Sequence, residues 1–301
     1  MYKGVIVSVS GSFLFGTLFY LVTLLAPLSG FEILGWRILF MWATLSIFIL
    51  LHHSDWKMAV EAARMVRGQL WRIPAMLASA VLVGAQFWLF VWGPGNGMAM
   101  DVSLGYFLFP LSLVLCGRVI YKDKLSRLQK VAVALASVGV ANQIYFGGNF
   151  SWATLLVCVA YPPYFILRRY TKSDNLGGFW WDLFILAPLA AWFVMSGPTP
   201  MAELLGNARL TGLVTLYGLI SGVAMILFIL ASRLLTMSLF GLLNYVEPVL
   251  LALVAFMLGE RIKPEEWLTY IGIWLAVLML VFDGIKNVIA HHRLAQVREA
   301  G

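Results

Sequence analysis

Charge is what this chain lacks most. Only 12% of its 301 residues are Asp, Glu, Lys or Arg, and 61% are hydrophobic, whereas a soluble domain is about a quarter charged and about half apolar. A soluble globular fold is excluded, because filling one core would still leave more apolar surface than water tolerates. Cysteine is almost missing as well. Cys116 and Cys158 stand alone in apolar runs, without a C-x-x-C pair or histidine spacing, so neither a disulfide framework nor a zinc site is available. The sequence has no H-E-x-x-H, P-loop, G-x-S-x-G or post-strand G-x-G-x-x-G motif, and no polar segment is long enough for a catalytic domain. An enzyme is therefore not expected, and no cofactor is.

What is abundant is long apolar runs, with a mean hydropathy of +0.89. A helix needs about 20 apolar residues to cross the hydrocarbon layer of a bilayer. Ten such segments fit, near 4–26, 31–51, 73–92, 102–121, 128–145, 151–167, 177–196, 211–232, 238–259 and 267–285. The expected fold is an all-α integral membrane protein. The run after Lys3 continues to Gly30 without a small-residue cleavage site, so it reads as a span rather than a signal peptide. Residues 55–71 differ: Trp56, Val60, Ala63, Val66 and Leu70 recur at helical spacing among basic residues, as in an amphipathic surface helix.

Lys and Arg are retained on the cytoplasmic side of a membrane. With the N-terminus inside, 17 of the 21 fall in cytoplasmic loops and tails, among them Lys57, Arg64, Lys122, Lys130, Arg168, Arg169 and Arg233. Both termini are then cytoplasmic. The net charge of +7 is thus a topology signal and an attraction to lipid headgroups, and it gives no warrant for nucleic acid as a partner.

Two segments look alike. Val102–Pro110 (VSLGYFLFP) leads to Asp123–Ser126 (DKLS), and Ser238–Pro248 (SLFGLLNYVEP) leads to Glu260–Lys263 (ERIK). The match predicts five spans in each half, 1–147 and 148–301. Because five is odd, the second half enters the membrane from the opposite face, which is the inverted repeat of transporters with a central site between the halves.

The candidate site residues follow from polarity inside spans. Glu247 is the acidic residue nearest the middle of a span, where a bare charge costs several kcal/mol. Pro248 beside it removes one ladder hydrogen bond and frees a carbonyl near Asn244, so Glu247 reads as a proton carrier or cation site, or else as a structural carboxyl. Arg37, two turns into the second span, snorkels, pairs with Glu32 or Asp101, or holds a solute carboxylate. Gln86, with Trp88 close by, is interhelical glue or a ligand. Ser103, Tyr106 and the helix-breaking Pro110 share one face of the fourth span, and Tyr161 and Tyr164 flank Pro162–Pro163 in the sixth. Tyr245 completes the set. Asn142 and Gln143 read as glue, the Ser8–Ser12–Gly16–Tyr20–Thr23 stripe as close packing or a cavity wall, and Asp182 and Asp283 as gate or topology residues where water reaches them. The four histidines form no metal site.

Gly35–Arg37 (GWR), Gln86–Trp92 (QFWLFVW), Ser103–Phe107 (SLGYF), Tyr161–Arg169 (YPPYFILRR) and Tyr245–Pro248 (YVEP), in this order and spacing, resemble the RarD family of the EamA branch of the drug/metabolite transporter superfamily. The resemblance implies ten helices in two inverted halves, a bacterial inner-membrane location and transport of small organic solutes. Phe109 stands where the family commonly has Asn, and Asn244 where it has Gln. Both touch the expected cavity, so no substrate is carried over. The expectation is a secondary transporter of a small amphipathic or zwitterionic solute, an amino acid or derivative, coupled to protons, working as monomer or homodimer with solute and lipid as partners. The alternatives are a polyspecific exporter and a receptor or assembly subunit without a transport cycle.

Overall fold

The computed structural model describes residues 2–51, 53–69, 71–120, 122, 126–145, 151–235, 240 and 243–300. Among them every regular element is helical. The helices are α1 (Tyr2–Leu21), α2 (Gly30–Leu51), α3 (His53–Gly68), α4 (Arg72–Gly95), α5 (Ala99–Ile120), α6 (Arg127–Tyr145), α7 (Trp152–Tyr170), α8 (Leu176–Ser196), α9 (Met201–Gly206), α10 (Ala208–Leu234), α11 (Val246–Met257) and α12 (Trp267–Ala300). Among the described residues, six segments are long and apolar enough to cross a membrane: Lys3–Leu24, Gly30–Leu51, Arg72–Gly95, Leu176–Ser196, Ala208–Ala231 and Pro264–Asp283. The protein is therefore a multi-pass membrane protein. Helices α5, α6, α7 and α11 lie at the other expected spans. Residues 146–150, where the two expected halves meet, residues 123–125, 238, 239, 241 and 242 of the two similar segments, and His52 lie outside the described residues.

The ends of the helices follow from local chemistry. Asn175 and Asn207 cap α8 and α10, their side chains accepting from the backbone N–H of Gly178 at 3.0 Å and Leu210 at 3.1 Å, which satisfies amides that have no partner inside the helix. Glu260 does the same for α5 from a distance of 160 residues. Its carboxylate accepts from the N–H groups of Ala99 at 2.8 Å and Met100 at 2.7 Å, placing a negative charge on the positive end of the helix dipole.

The principal packing pairs are α1 with α10 and α11, α2 with α8 and α10, α4 with α7 and α8, α5 with α7 and α11, and α6 with α12. Small residues allow the closest approaches, as expected where helices associate without a hydrophobic drive between them. Ser8 and Ser12 of the α1 stripe are buried, and Gly16 faces Leu250 of α11, so close packing accounts for this part of the stripe. Asn142 is interhelical: its Nδ2 donates to Thr269 Oγ1 at 3.1 Å and to the Glu265 carbonyl at 3.0 Å. Helix α3 packs on α8 through its alanines. Ala59 and Ala62 are buried, Trp56 is exposed, and the Ala59 carbonyl accepts from Trp181 Nε1 at 2.9 Å. The face chosen is the small one and not that of Trp56, because the backbone of α3 comes against Gly177, where a side chain would collide.

The span expected at 238–259 is interrupted. The chain turns at Asn244 and Tyr245, and α11 starts at Val246. Pro248 therefore occupies the first turn of a new helix, where its missing N–H costs nothing, and Glu247 sits beside it at the end of the dipole that favours an anion. The single span expected over 238–259 is thus divided at Asn244 and Tyr245.

Candidate functional site

Arg37 is 1% exposed, and it is the largest of the fully buried side chains. It lies seven residues beyond the start of α2, about 10 Å into the helix at 1.5 Å per residue. It neither snorkels nor forms an ion pair with Glu32 or Asp101. Glu32 is committed elsewhere, accepting from the backbone N–H of Ser29 at 2.7 Å and of Thr199 at 2.9 Å. The Nε and Nη1 of Arg37 have no hydrogen-bond partner. The guanidinium instead lies over two rings of α4, 5.1 Å from the centroid of Phe87 and 4.6 Å from that of Phe90. Such contacts stabilise a desolvated cation by about 2 kcal/mol each at most, less than the cost of leaving guanidinium donors unpaired.

Around this cation the structure gathers groups from five helices. Glu247 of α11 interacts electrostatically with Arg37, and so do Tyr106 of α5, Tyr161 of α7 and Tyr217 of α10. The hydroxyls of Tyr106 and Tyr161 share a hydrogen bond of 3.2 Å, and both tyrosines feel the Glu247 charge as well. Glu247 is half-buried and forms no ion pair with Arg37 within 4.0 Å. The Tyr217 hydroxyl lies beside Arg37 but outside hydrogen-bond geometry and has no partner. Arg37, Glu247 and the three phenols thus act on one another electrostatically, while Arg37 Nε and Nη1 and the Tyr217 hydroxyl stay without hydrogen-bond partners.

The remaining candidates make contacts of their own. Tyr245 is buried with its hydroxyl unpartnered, and Asn244 is half-buried, its backbone N–H donating to the Phe240 carbonyl at 3.0 Å. The carbonyl of Pro248 accepts from Ser103 Oγ at 3.0 Å, joining α11 to α5, the helix that carries half-buried Pro110. Gln86 is both glue and open: Nε2 donates to the Leu156 carbonyl of α7 at 2.9 Å, while Oε1 has no partner. Trp88 is not in this group. Two residues after Gln86, it points about 200° around α4 at 3.6 residues per turn, into a stack with Trp92 at 5.5 Å, Trp152 at 6.0 Å and Phe31 at 6.3 Å.

Tyr164 is drawn into a second polar cluster. Its hydroxyl donates to Asp182 Oδ2 at 3.2 Å. The same carboxylate holds Arg168 Nη1 at 2.9 Å and accepts from Ser79 Oγ at 3.0 Å, and Arg168 Nη2 reaches the Asn175 carbonyl at 3.0 Å. Water does not reach Asp182, which is 1% exposed, nor Asp283, which is 6% exposed and accepts from Ser126 Oγ at 2.8 Å. Composition pointed to solvated helix ends; tertiary packing closes over both.

Sequence reasoning passed over Phe87, Phe90 and Tyr217. The two phenylalanines carry no polar signal. Tyr217 was legible in principle as a mid-span phenol on α10, but nothing beside it in the sequence announces Arg37.

No family model matches the chain. Among curated proteins, the chloramphenicol-sensitive protein RarD of Pseudomonas aeruginosa is 39% identical over 286 residues, covering 94% of this chain and 95% of that protein. An uncharacterized transporter of Haemophilus influenzae is 35% identical over 95% of both chains. Protein RarD of Salmonella typhimurium is 27% identical over 94% of this chain and 96% of its own. A solved crystal structure superposes with a TM-score of 0.58 at 15% identity, covering 95% of this chain and 99% of that one, a likeness of fold alone.

Proposed function

This chain belongs to the RarD family of membrane transporters and is not an enzyme, and we propose that it carries a small zwitterionic organic solute, an amino acid or a derivative, across the bacterial inner membrane in exchange for proton movement through Glu247. The observation that carries the reading is Arg37. A buried guanidinium with unpaired Nε and Nη1 is costly unless a ligand completes it, and a solute carboxylate offers the planar pair of acceptors that a guanidinium fits. Glu247 is the matching anion for an ammonium group.

Ten spans in two inverted halves, 1–147 and 148–301, with both termini cytoplasmic, are the scaffold of this cycle. The packing supports it. If α1, α2, α4, α5 and α6 exchange places with α7, α8, α10, α11 and α12, the α1–α10 contact becomes α7–α4, α1–α11 becomes α7–α5 and α2–α10 becomes α8–α4. The α2–α8, α5–α11 and α6–α12 pairs map onto themselves. All of these contacts are present.

The test is a binding screen of the purified protein against amino acids, nucleosides and amphiphilic antibiotics at two pH values, read as thermal shift. Amino acids are expected to bind, and Arg37→Gln to lose that binding. Amphiphilic antibiotics binding equally well to Arg37→Gln would favour the polyspecific exporter, with the Trp88–Trp92–Trp152 stack as its aromatic surface. A bound solute that lacks a carboxylate would overturn the proposal.

A further inference from the structure

The cluster around Asp182 is used nowhere in the solute site, yet it concentrates the buried ion pair of the described residues. It ties three helices together. Ser79 belongs to α4, Tyr164 and Arg168 to α7, and Asp182 to α8, and every polar atom of the Asp182 carboxylate is engaged. The backbone closes tightly here as well. A side chain on Gly178 would meet the Ser173 carbonyl and the Arg168 guanidinium, and one on Gly177 would meet the backbone of α3, so α3 lies over this end of the bundle.

Two further relations give the cluster a direction. Under the exchange of halves described above, Asp182, six residues beyond the start of α8, comes within one residue of the place of Arg37, seven beyond the start of α2. At one place the buried charge is fully paired, and at its counterpart Nε and Nη1 are unpaired. The two halves therefore carry a paired charge and an unpaired one at comparable depths from the starts of α8 and α2. Second, Tyr164 is one turn from Tyr161 on α7, with Pro162 and Pro163 inside that turn. Proline removes ladder hydrogen bonds and allows a helix to bend, so α7 can pivot between the solute site and the cluster.

We propose that Arg168, Asp182, Tyr164 and Ser79 form a latch that closes the α3 end of the pathway, and that α7 releases it by bending at Pro162–Pro163. A polar network suits this task better than apolar packing, because water entering the opened end replaces its hydrogen bonds. The gating role rests on the transporter reading above. Its test uses no solute, so a failed solute assignment and a failed latch are told apart.

The reporter is Ala80→Cys, in the full chain with Cys116 and Cys158 replaced by alanine. Ala80 is fully buried, adjacent to Ser79 and packed among residues of α8. In purified protein a water-soluble maleimide should label this thiol slowly. Asp182→Asn should raise the labelling rate at least tenfold, and Tyr164→Phe and Ser79→Ala should raise it by smaller factors. The latter two remove one hydroxyl or hydrogen bond each and guard against a misfolded Asp182 variant, as does size-exclusion chromatography of every sample. Adding Pro162→Ala and Pro163→Ala to Asp182→Asn should return labelling toward the slow rate. Labelling at the starting rate in all the single variants that remain folded would overturn the latch, and an unchanged fast rate in the proline-free variant would overturn the hinge.

Discussion

The guanidinium of Arg37 lies 4.6 Å from the ring centroid of Phe90, with Nε and Nη1 unpaired. A ring face attracts a cation but does not satisfy its directional N–H donors. The residue is held in place by α4 and left chemically incomplete.

Arg37→Met should therefore raise stability while ending function. The change removes a guanidinium whose two unpaired nitrogens cost about 1–3 kcal/mol each when buried and gives up two cation–π contacts of at most about 2 kcal/mol each, so the expected net gain is about 1 kcal/mol. Thermal unfolding of the purified protein should shift upward, and solute flux in proteoliposomes should fall to background. A clear loss of stability would show that Arg37 is a structural residue.

Glu247→Gln should preserve the fold, because the amide keeps shape and hydrogen-bonding capacity and Glu247 has no ion-pair partner within 4.0 Å to abandon. In proteoliposomes it should uncouple solute flux from a pH gradient and leave exchange at zero gradient in place. Unchanged pH dependence would remove Glu247 from the proton path.

Two glycines should respond oppositely to alanine. At Gly35 an added Cβ would lie 2.6 Å from the Ala190 carbonyl oxygen and 2.8 Å from Val194 Cγ2. A backbone atom cannot turn aside, so α2 and α8 must separate, at a cost of about 1–3 kcal/mol. At Gly11 the nearest atom would be 3.6 Å away, ordinary contact, and the better helix propensity of alanine should leave stability unchanged or raise it by up to about 1 kcal/mol. Thermal melts of the two variants in the same detergent check this pair.

Gly95 and Gly206 are exposed with open space around them, and Lys130 is exposed on α6. In intact cells an impermeant maleimide should label Gly95→Cys and Gly206→Cys, and should label Lys130→Cys only after permeabilisation. The reverse pattern would overturn the charge-based topology and the inverted orientation of the halves together.

Composition and its continuous apolar runs by themselves determined that this is a helical membrane protein, because a run of about 20 apolar residues satisfies its backbone in hydrocarbon as a helix, whereas barrel strands are shorter and alternate apolar with polar. Run lengths located the helices, and Pro248 beside Glu247 marked a disturbed segment, though not that the helix would stop at Asn244 and begin again. Local sequence could not say where Arg37 goes. Glu32, five residues away, was a plausible partner until folding brought Thr199 to it across 167 residues. Trp88 and Tyr164 looked like companions of Gln86 and Tyr161 in sequence, but helical rotation sends Trp88 into a tryptophan stack, and Asp182, eighteen residues on, engages Tyr164. Burial is the part that only tertiary structure decided. Whether a charge is solvated, paired or left open depends on which helices come to lie against it, and those contacts join residues that no spacing rule relates.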